Sequence, residues 1–173
     1  MGIMKLGPVN RKWAARRALA LPNSFIWPYR AGPGLRTLTP MIETITPVTV
    51  ATLQAFGDAW NRHDLDALMG FMSDDCVFQT AGGPDACGAR HVGRDAVRKA
   101  FAAAWALLPD AQWRNGQHFV QGDFGVSQWT FTGTASDGSR VETDGVDLFT
   151  FKHGKIALKN AFRKARPNLP AAA

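Results

Sequence analysis

The chain has 173 residues, 46% of them apolar, and a formal net charge of +6, which is enough for one packed domain with some chain to spare. Residues 1–40 hold seven of the 20 cations and no Asp or Glu, leaving 13 cations against 14 acids in the rest. The positive excess therefore belongs to the N-terminal stretch, which argues against nucleic acid as the domain's partner, and the longest apolar run, residues 100–108, is far short of the ~20 residues of a membrane span.

Residues 1–40 read as a basic, disordered extension. Arg16-Arg17 ahead of Ala18-Leu19-Ala20-Leu21 hints at an export signal, but Pro22-Asn23 ends the apolar run after four residues, where such a signal needs ~7–15. An Arg-rich, acid-free stretch also suits a transit peptide. The favoured reading is a start placed too early, with Met41 as the true first residue. Residues 41–167 then form the domain and 168–173 a tail.

Thr46-Pro47 reads as a helix cap followed by proline at the first helical position. Val50, Leu53, Phe56 and Trp60 recur at helical spacing to about Arg62. Asp64 caps a second, short helix with Leu65, Leu68, Met69 and Met72 on its apolar side. Residues 76–80 read as a strand and 81–92 as a Gly-rich loop. A third helix runs from about Arg94 to Leu108 and stops at Pro109, with Val97, Phe101, Trp105 and Leu108 in one stripe. Strands follow at 112–120, 125–135, 140–151 and 155–163, with Asp137-Gly138 and His153-Gly154 placed for tight hairpins. Helices first and an antiparallel meander after them predict an α+β fold.

Cys76 and Cys87 are the only cysteines. Two do not make a disulfide framework, so the expectation is reduced thiols and a cytoplasmic protein. No spacing of His, Cys, Asp and Glu matches a zinc site, and no cofactor is expected. His63 and His91 read as exposed, and His153 sits in a turn.

Four patches, in order and spacing, resemble the NTF2-like superfamily in its SnoaL-like and ketosteroid-isomerase-like branch. They are Phe56-Gly57-Asp58-Ala59-Trp60-Asn61-Arg62-His63-Asp64-Leu65-Asp66, Asp74-Asp75-Cys76-Val77-Phe78, Trp129-Thr130-Phe131-Thr132-Gly133-Thr134 and Asp147-Leu148-Phe149-Thr150-Phe151-Lys152-His153-Gly154-Lys155-Ile156. The resemblance covers about residues 48–166. It implies a cone: three helices packed on a curved antiparallel sheet around a deep apolar pocket, with pairing into a homodimer through the outer sheet face.

The family's catalytic sets are each incomplete in this chain. Phe56 stands where ketosteroid isomerases of the fold carry a Tyr, and Thr80 where they carry the carboxylate base. Their late Asp is retained as Asp147, which SnoaL-like cyclases also use as acid/base. The cyclase His position is Ala135. Scytalone-dehydratase-like members have a His where His118 stands, but their Tyr-Asp pair is Trp60-Asn61 here. The resemblance thus implies Asp147 and His118 as the catalytic pair and a binding site of Phe56, Trp60, Asn61, Thr80, Trp105, Trp129 and Lys159.

Strand alternation puts Asp147 on the same face as Phe149 and Phe151, where burial disfavours its charge. Asn61, at a helix end, is read as a carbonyl anchor. Two readings of Lys159 stand. If Leu158 and Phe162 face the core, Lys159 points to solvent; in the family's register it points inward and pairs with Asp147. The expected partner is a small, mainly apolar carbonyl compound. Two functions follow from it: cofactor-independent isomerisation, aldol cyclisation or dehydration, or ligand binding and association without catalysis.

Overall fold

The computed structural model describes residues 46–171, so the readings of residues 1–40 and of Met41 lie outside the described residues. The first helix, α1, runs Val50–Asn61. It is capped by Thr49 rather than Thr46, because Thr49 has Thr52 at the third helical position and the two close a reciprocal capping box. Leu53, Phe56, Ala59 and Trp60 form its buried face. Val50 stays 48% exposed, and Val48 is buried instead. After a turn at His63 (φ 56°), Asp64 caps α2, Leu65–Phe71, by accepting from the Ala67 N–H.

Strand β1, Met72–Gln79, starts earlier than expected. The following loop contains a short strand, β2, Arg90–Val92, hydrogen-bonded antiparallel to β1. Helix α3, Arg94–Leu107, buries Val97 and Phe101. Then come β3, Gln112–Gln121, β4, Phe124–Thr134, β5, Arg140–Lys152, and β6, Lys155–Arg163. The six strands form one curved sheet in the order β2-β1-β6-β5-β4-β3. Strands β3 to β6 are the expected meander, while β1 joins β6 in parallel and makes the sheet mixed. The tail is partly tied down: Leu169 pairs with Arg140 through two backbone hydrogen bonds.

Two irregularities shape the site. In β3 one extra residue lies between Arg114 and Gln117, with Asn115 at φ 56°. In β6, Ala157 is extra: Phe151 faces Ile156, but Thr150 faces Leu158. A one-residue bulge reverses which face the following side chains occupy. Lys159 and Ala161 therefore point inward with Ile156, and Phe162 points out at 48% exposure.

The concave face and the helices enclose an aromatic core. Phe56, Trp60, Phe101 and Phe149 pack in it, with the Trp60 ring 4.7 Å from Phe101, 4.7 Å from Trp113 and 5.2 Å from Trp105. Edge and tilted contacts of this kind add to the area they bury. Among the described residues no helix is long and apolar enough to cross a membrane.

Candidate functional site

The inward side chains of three neighbouring strands set one polar row into this aromatic core. His118 on β3 faces Ser127 on β4, and Ser127 faces Asp147 on β5. His118 Nδ1 lies 2.7 Å from Ser127 Oγ. Asp147 is 5% exposed and both of its oxygens are engaged. Lys159 Nζ donates to Oδ1 at 2.6 Å, and Trp129 Nε1 donates to Oδ2 at 2.9 Å. Lys159 is 4% exposed, and its ammonium lies 4.8 Å from the centre of the Phe78 ring and 5.6 Å from that of Trp60. Burial alone would disfavour the carboxylate's charge. Here an ammonium and an indole N–H stabilise it, and two aromatic faces stabilise the ammonium.

Trp129 reaches Asp147 because the residue opposite it on β5 is Gly145. A Cβ there would stand 2.2 Å from Trp129 Cη2, so only glycine lets the indole lie flat across β5. The φ of Gly145 is not in the left-handed region; space, not backbone freedom, is what the position needs.

The cavity is smaller than a deep pocket. Aromatic side chains fill most of the cone and leave a cleft of about 50 Å³, lined by Leu53, Phe56, Trp60, Trp113, Trp129 and Phe149 with His118, Ser127 and Asp147 as its polar wall. Gln54, Gly57 and Gly116 also line it. A pocket that swallows a drug-sized ligand is about 300–1,000 Å³. This cleft has room for a few waters or for one polar group with its nearest carbons.

Of the residues expected at the site, Asp147, His118, Phe56, Trp60, Asn61 and Trp129 line the cleft, and Lys159 stands behind Asp147. The outward reading of Lys159 is overturned by the bulge at Ala157. Asn61 does not offer a free amide. Its Nδ2 donates to the Trp113 carbonyl at 2.9 Å and its Oδ1 accepts from the Trp113 N–H at 2.7 Å, which ties the end of α1 to β3. Thr80 does not line the cleft: its hydroxyl donates to the Gly82 carbonyl at 2.6 Å and accepts from the Ala89 N–H at 2.9 Å, closing the loop after β1. Trp105 supports Trp60 from outside the cleft and stacks on His63, which also bonds the Ala111 carbonyl and is not the exposed residue expected. Ser127 and Trp113 were not read from the sequence as site residues. For Ser127 a signal existed: it falls in the inward series Gly125, Ser127, Trp129, Phe131, the one hydroxyl among them.

The SnoaL-like domain family matches residues 53–159, from the helix that roofs the cleft to the lysine behind Asp147. The chain belongs to this family. Solved structures agree with the fold of this SnoaL-like domain. An NTF2-like protein of unknown function from Mesorhizobium loti is 28% identical, covers 65% of this chain and 88% of its own, and superposes with a TM-score of 0.55. A protein from Xanthomonas campestris, provisionally assigned as a polyketide cyclase, is 21% identical over 64% and 85% of the two chains at a TM-score of 0.57. A hypothetical protein with a ketosteroid isomerase-like fold from Catenulispora acidiphila, solved in complex with trimethylamine, is 16% identical over 68% and 86% at 0.57. No curated protein matches the chain in sequence. Among the described residues no group of three or more His, Cys, Asp or Glu is placed to hold a metal ion.

Burial pushes the imidazole of His118 below its ordinary 6.5, with the negative Asp58 acting the other way in smaller measure. In this SnoaL-like domain His118 is thus neutral near pH 7. A depressed histidine makes the native state the poorer proton binder once the pH falls below ~6.5. Stability should then fall as the pH is lowered through that range, by at most ~1.4 kcal/mol per pH unit from this one group. Urea midpoints of the native chain and of His118→Gln, compared between about pH 7.5 and 5.5, should show a flatter pH dependence in the variant. An unchanged slope would mean that His118 is solvated.

Proposed function

We propose that this SnoaL-like domain takes the carbonyl end of a small, neutral, mainly apolar compound into the cleft, with Asp147 as the group that accepts a proton from the carbon next to that carbonyl. The observation that carries this reading is a buried carboxylate, paired with Lys159 and Trp129, at the end of an aromatic cleft, with His118 two strands along in the same inward row and its Nε2 buried without a partner among the described residues. A carboxylate set among rings with an ammonium partner, and an imidazole further along the same inward row, is suited to proton transfer at carbon. Isomerisation, aldol cyclisation and dehydration all begin that way. Lys159 already neutralises Asp147, so a cationic ligand gains little here and a neutral one is favoured. The cleft's size admits the reacting group, and the body of the ligand would lie at the mouth near Gln54, Gly57 and Gly116.

One observation favours a second reading, binding or association without turnover: the core is nearly filled. A single experiment addresses both. The thermal midpoint of the full chain is measured against cyclic enones, phenols, polyketide-like aromatics and fatty acids. A ligand present at one hundred times its Kd stabilises by about 2.7 kcal/mol, a shift of several degrees. A shift with one carbonyl class supports the proposal and names the compounds to assay for turnover. No shift with any class would overturn it and leave association.

For association, the proposed partner is a second copy on the outer sheet face. Phe119, Phe124 and Phe162 stand on that face at 56%, 43% and 48% exposure, large apolar side chains that a second copy would cover. Sedimentation equilibrium of the full chain should give twice the 18.8 kDa chain mass; the mass of one chain at micromolar concentration would reject the pairing.

A further inference from the structure

We infer that Ser127 is a positioning residue that fixes His118 as the tautomer carrying its proton on Nε2, so that the cleft wall presents a hydrogen-bond donor and its ligand must bring an acceptor to that point.

The argument is a count of donors. A neutral imidazole has one N–H and one lone-pair nitrogen, and a serine hydroxyl has one proton to give. Ser127 is 5% exposed, and among the described residues its hydroxyl makes one hydrogen bond, to His118 Nδ1 at 2.7 Å. No hydrogen bond joins Ser127 Oγ to the nearby carboxylate of Asp147, whose Oδ1 and Oδ2 accept from Lys159 and Trp129. Two arrangements are possible. If Nδ1–H donates to Oγ, the Ser127 proton is left buried with no acceptor, and Nε2 is left as an unused lone pair. If Ser127 O–H donates to Nδ1, the hydroxyl proton and Nδ1 are both satisfied, and only the proton on Nε2 has no partner. Each buried polar group left unpaired is penalised, so the second arrangement is the stable one.

Nε2 is the orphan either way. It lies beside Gly116, where an added Cβ would come within 3.1 Å of it, and Gly116 is also a lining residue of the cleft. With its proton there, Nε2 is a neutral electrophile: it can donate to a carbonyl oxygen and stabilise the negative charge that grows on it when a neighbouring C–H is deprotonated. The roles then divide cleanly. Asp147 accepts the proton from carbon, and His118 donates a hydrogen bond to oxygen without itself becoming a base. The use of the donor rests on the proposed carbonyl site, whereas the tautomer rests on side-chain contacts alone and is testable without any ligand.

Long-range proton–nitrogen NMR of the ¹⁵N-labelled full chain near pH 7.5 reads both ring nitrogens of each histidine, with His118 assigned by its loss in His118→Gln. The expected result is a protonated, pyrrole-type Nε2 and an unprotonated Nδ1. In Ser127→Ala both resonances should move toward the averaged positions of exchanging tautomers, and Ser127→Thr, which keeps the hydroxyl, should restore the native pattern. A native protein with the proton on Nδ1, a doubly protonated ring, or a Ser127→Ala spectrum identical to the native one would each overturn the inference. If Ser127→Ala does not fold, the spectrum of the native protein still decides. Failure of the ligand panel with the expected spectrum in hand would reject the carbonyl reading and leave the tautomer standing.

Discussion

Lys159→Met is expected to destabilise the protein by about 3–5 kcal/mol, the range for removing one partner of a buried ion pair. Methionine keeps most of the stem's length, so the loss is mainly of charge. The ammonium sits 2.6 Å from Asp147 Oδ1, and the two side chains are 5% and 7% exposed. Without it the carboxylate keeps only the Trp129 indole as a donor, in a wall of Trp60, Phe78 and Phe149. A chain of this size should lose on the order of 10 °C in its midpoint. Removing both charges with Lys159→Met and Asp147→Leu together should recover part of that loss, since neither ion is then stranded; the Trp129 N–H left unpaired holds back ~1–3 kcal/mol. A loss below ~1 kcal/mol in the single variant, the scale of a solvated surface pair, would mean that water reaches Lys159 and that its burial in β6 is wrong. An ion pair of this kind is an expensive way to hold a sheet together. Its presence at the end of an aromatic-walled cleft is what points from stability toward function.

The helical part of this arrangement was legible because it is periodic. Leu53, Phe56 and Trp60 recur at the spacing of one helix face, and all three are buried. The hairpins were legible because their turns need left-handed residues, and Gly138 and Gly154 have φ of 81° and 71°. The inward aspect of Asp147 followed from strand alternation. Alternation failed for Lys159, since it holds only while a strand is regular, and nothing local in Lys155-Ile156-Ala157-Leu158 announces that Ala157 is extra. That bulge is set by how the strand pairs with β5, its neighbour across the hairpin turn, and not by its own residues. The parallel union of β1 with β6 is likewise a long-range choice. Asn61 was read as a free amide because the residue that engages it, Trp113, lies 52 positions away. The cleft's volume was beyond reach for a different reason. It is a small remainder after four tryptophans and several phenylalanines are packed, and small changes in their rotamers decide it.

Asp147→Asn is expected to lower turnover of a true substrate by about 10²–10⁴, the usual contribution of a positioned acid or base. The substitution keeps the shape of the side chain and removes its ability to take a proton from carbon. It also disturbs the site. The amide oxygen can still accept from Lys159 or from Trp129, but the amide NH₂ then faces the other donor, and the ammonium loses its counter-charge. Some stability should be lost on that account, so activity must be referred to the folded protein. Ligand affinity supplies that reference, because binding needs an intact cleft. The expected pattern is a large fall in kcat with Kd for the ligand changed little, which is the signature of an interaction made in the transition state and not in the ground state. His118→Gln should behave differently if His118 only donates to the oxygen: glutamine can also donate there, and part of the rate should survive. Equal losses in the two variants would assign proton transfer to both groups. Turnover that persists in Asp147→Asn at the native level would remove Asp147 from the chemistry and leave its ion pair as architecture.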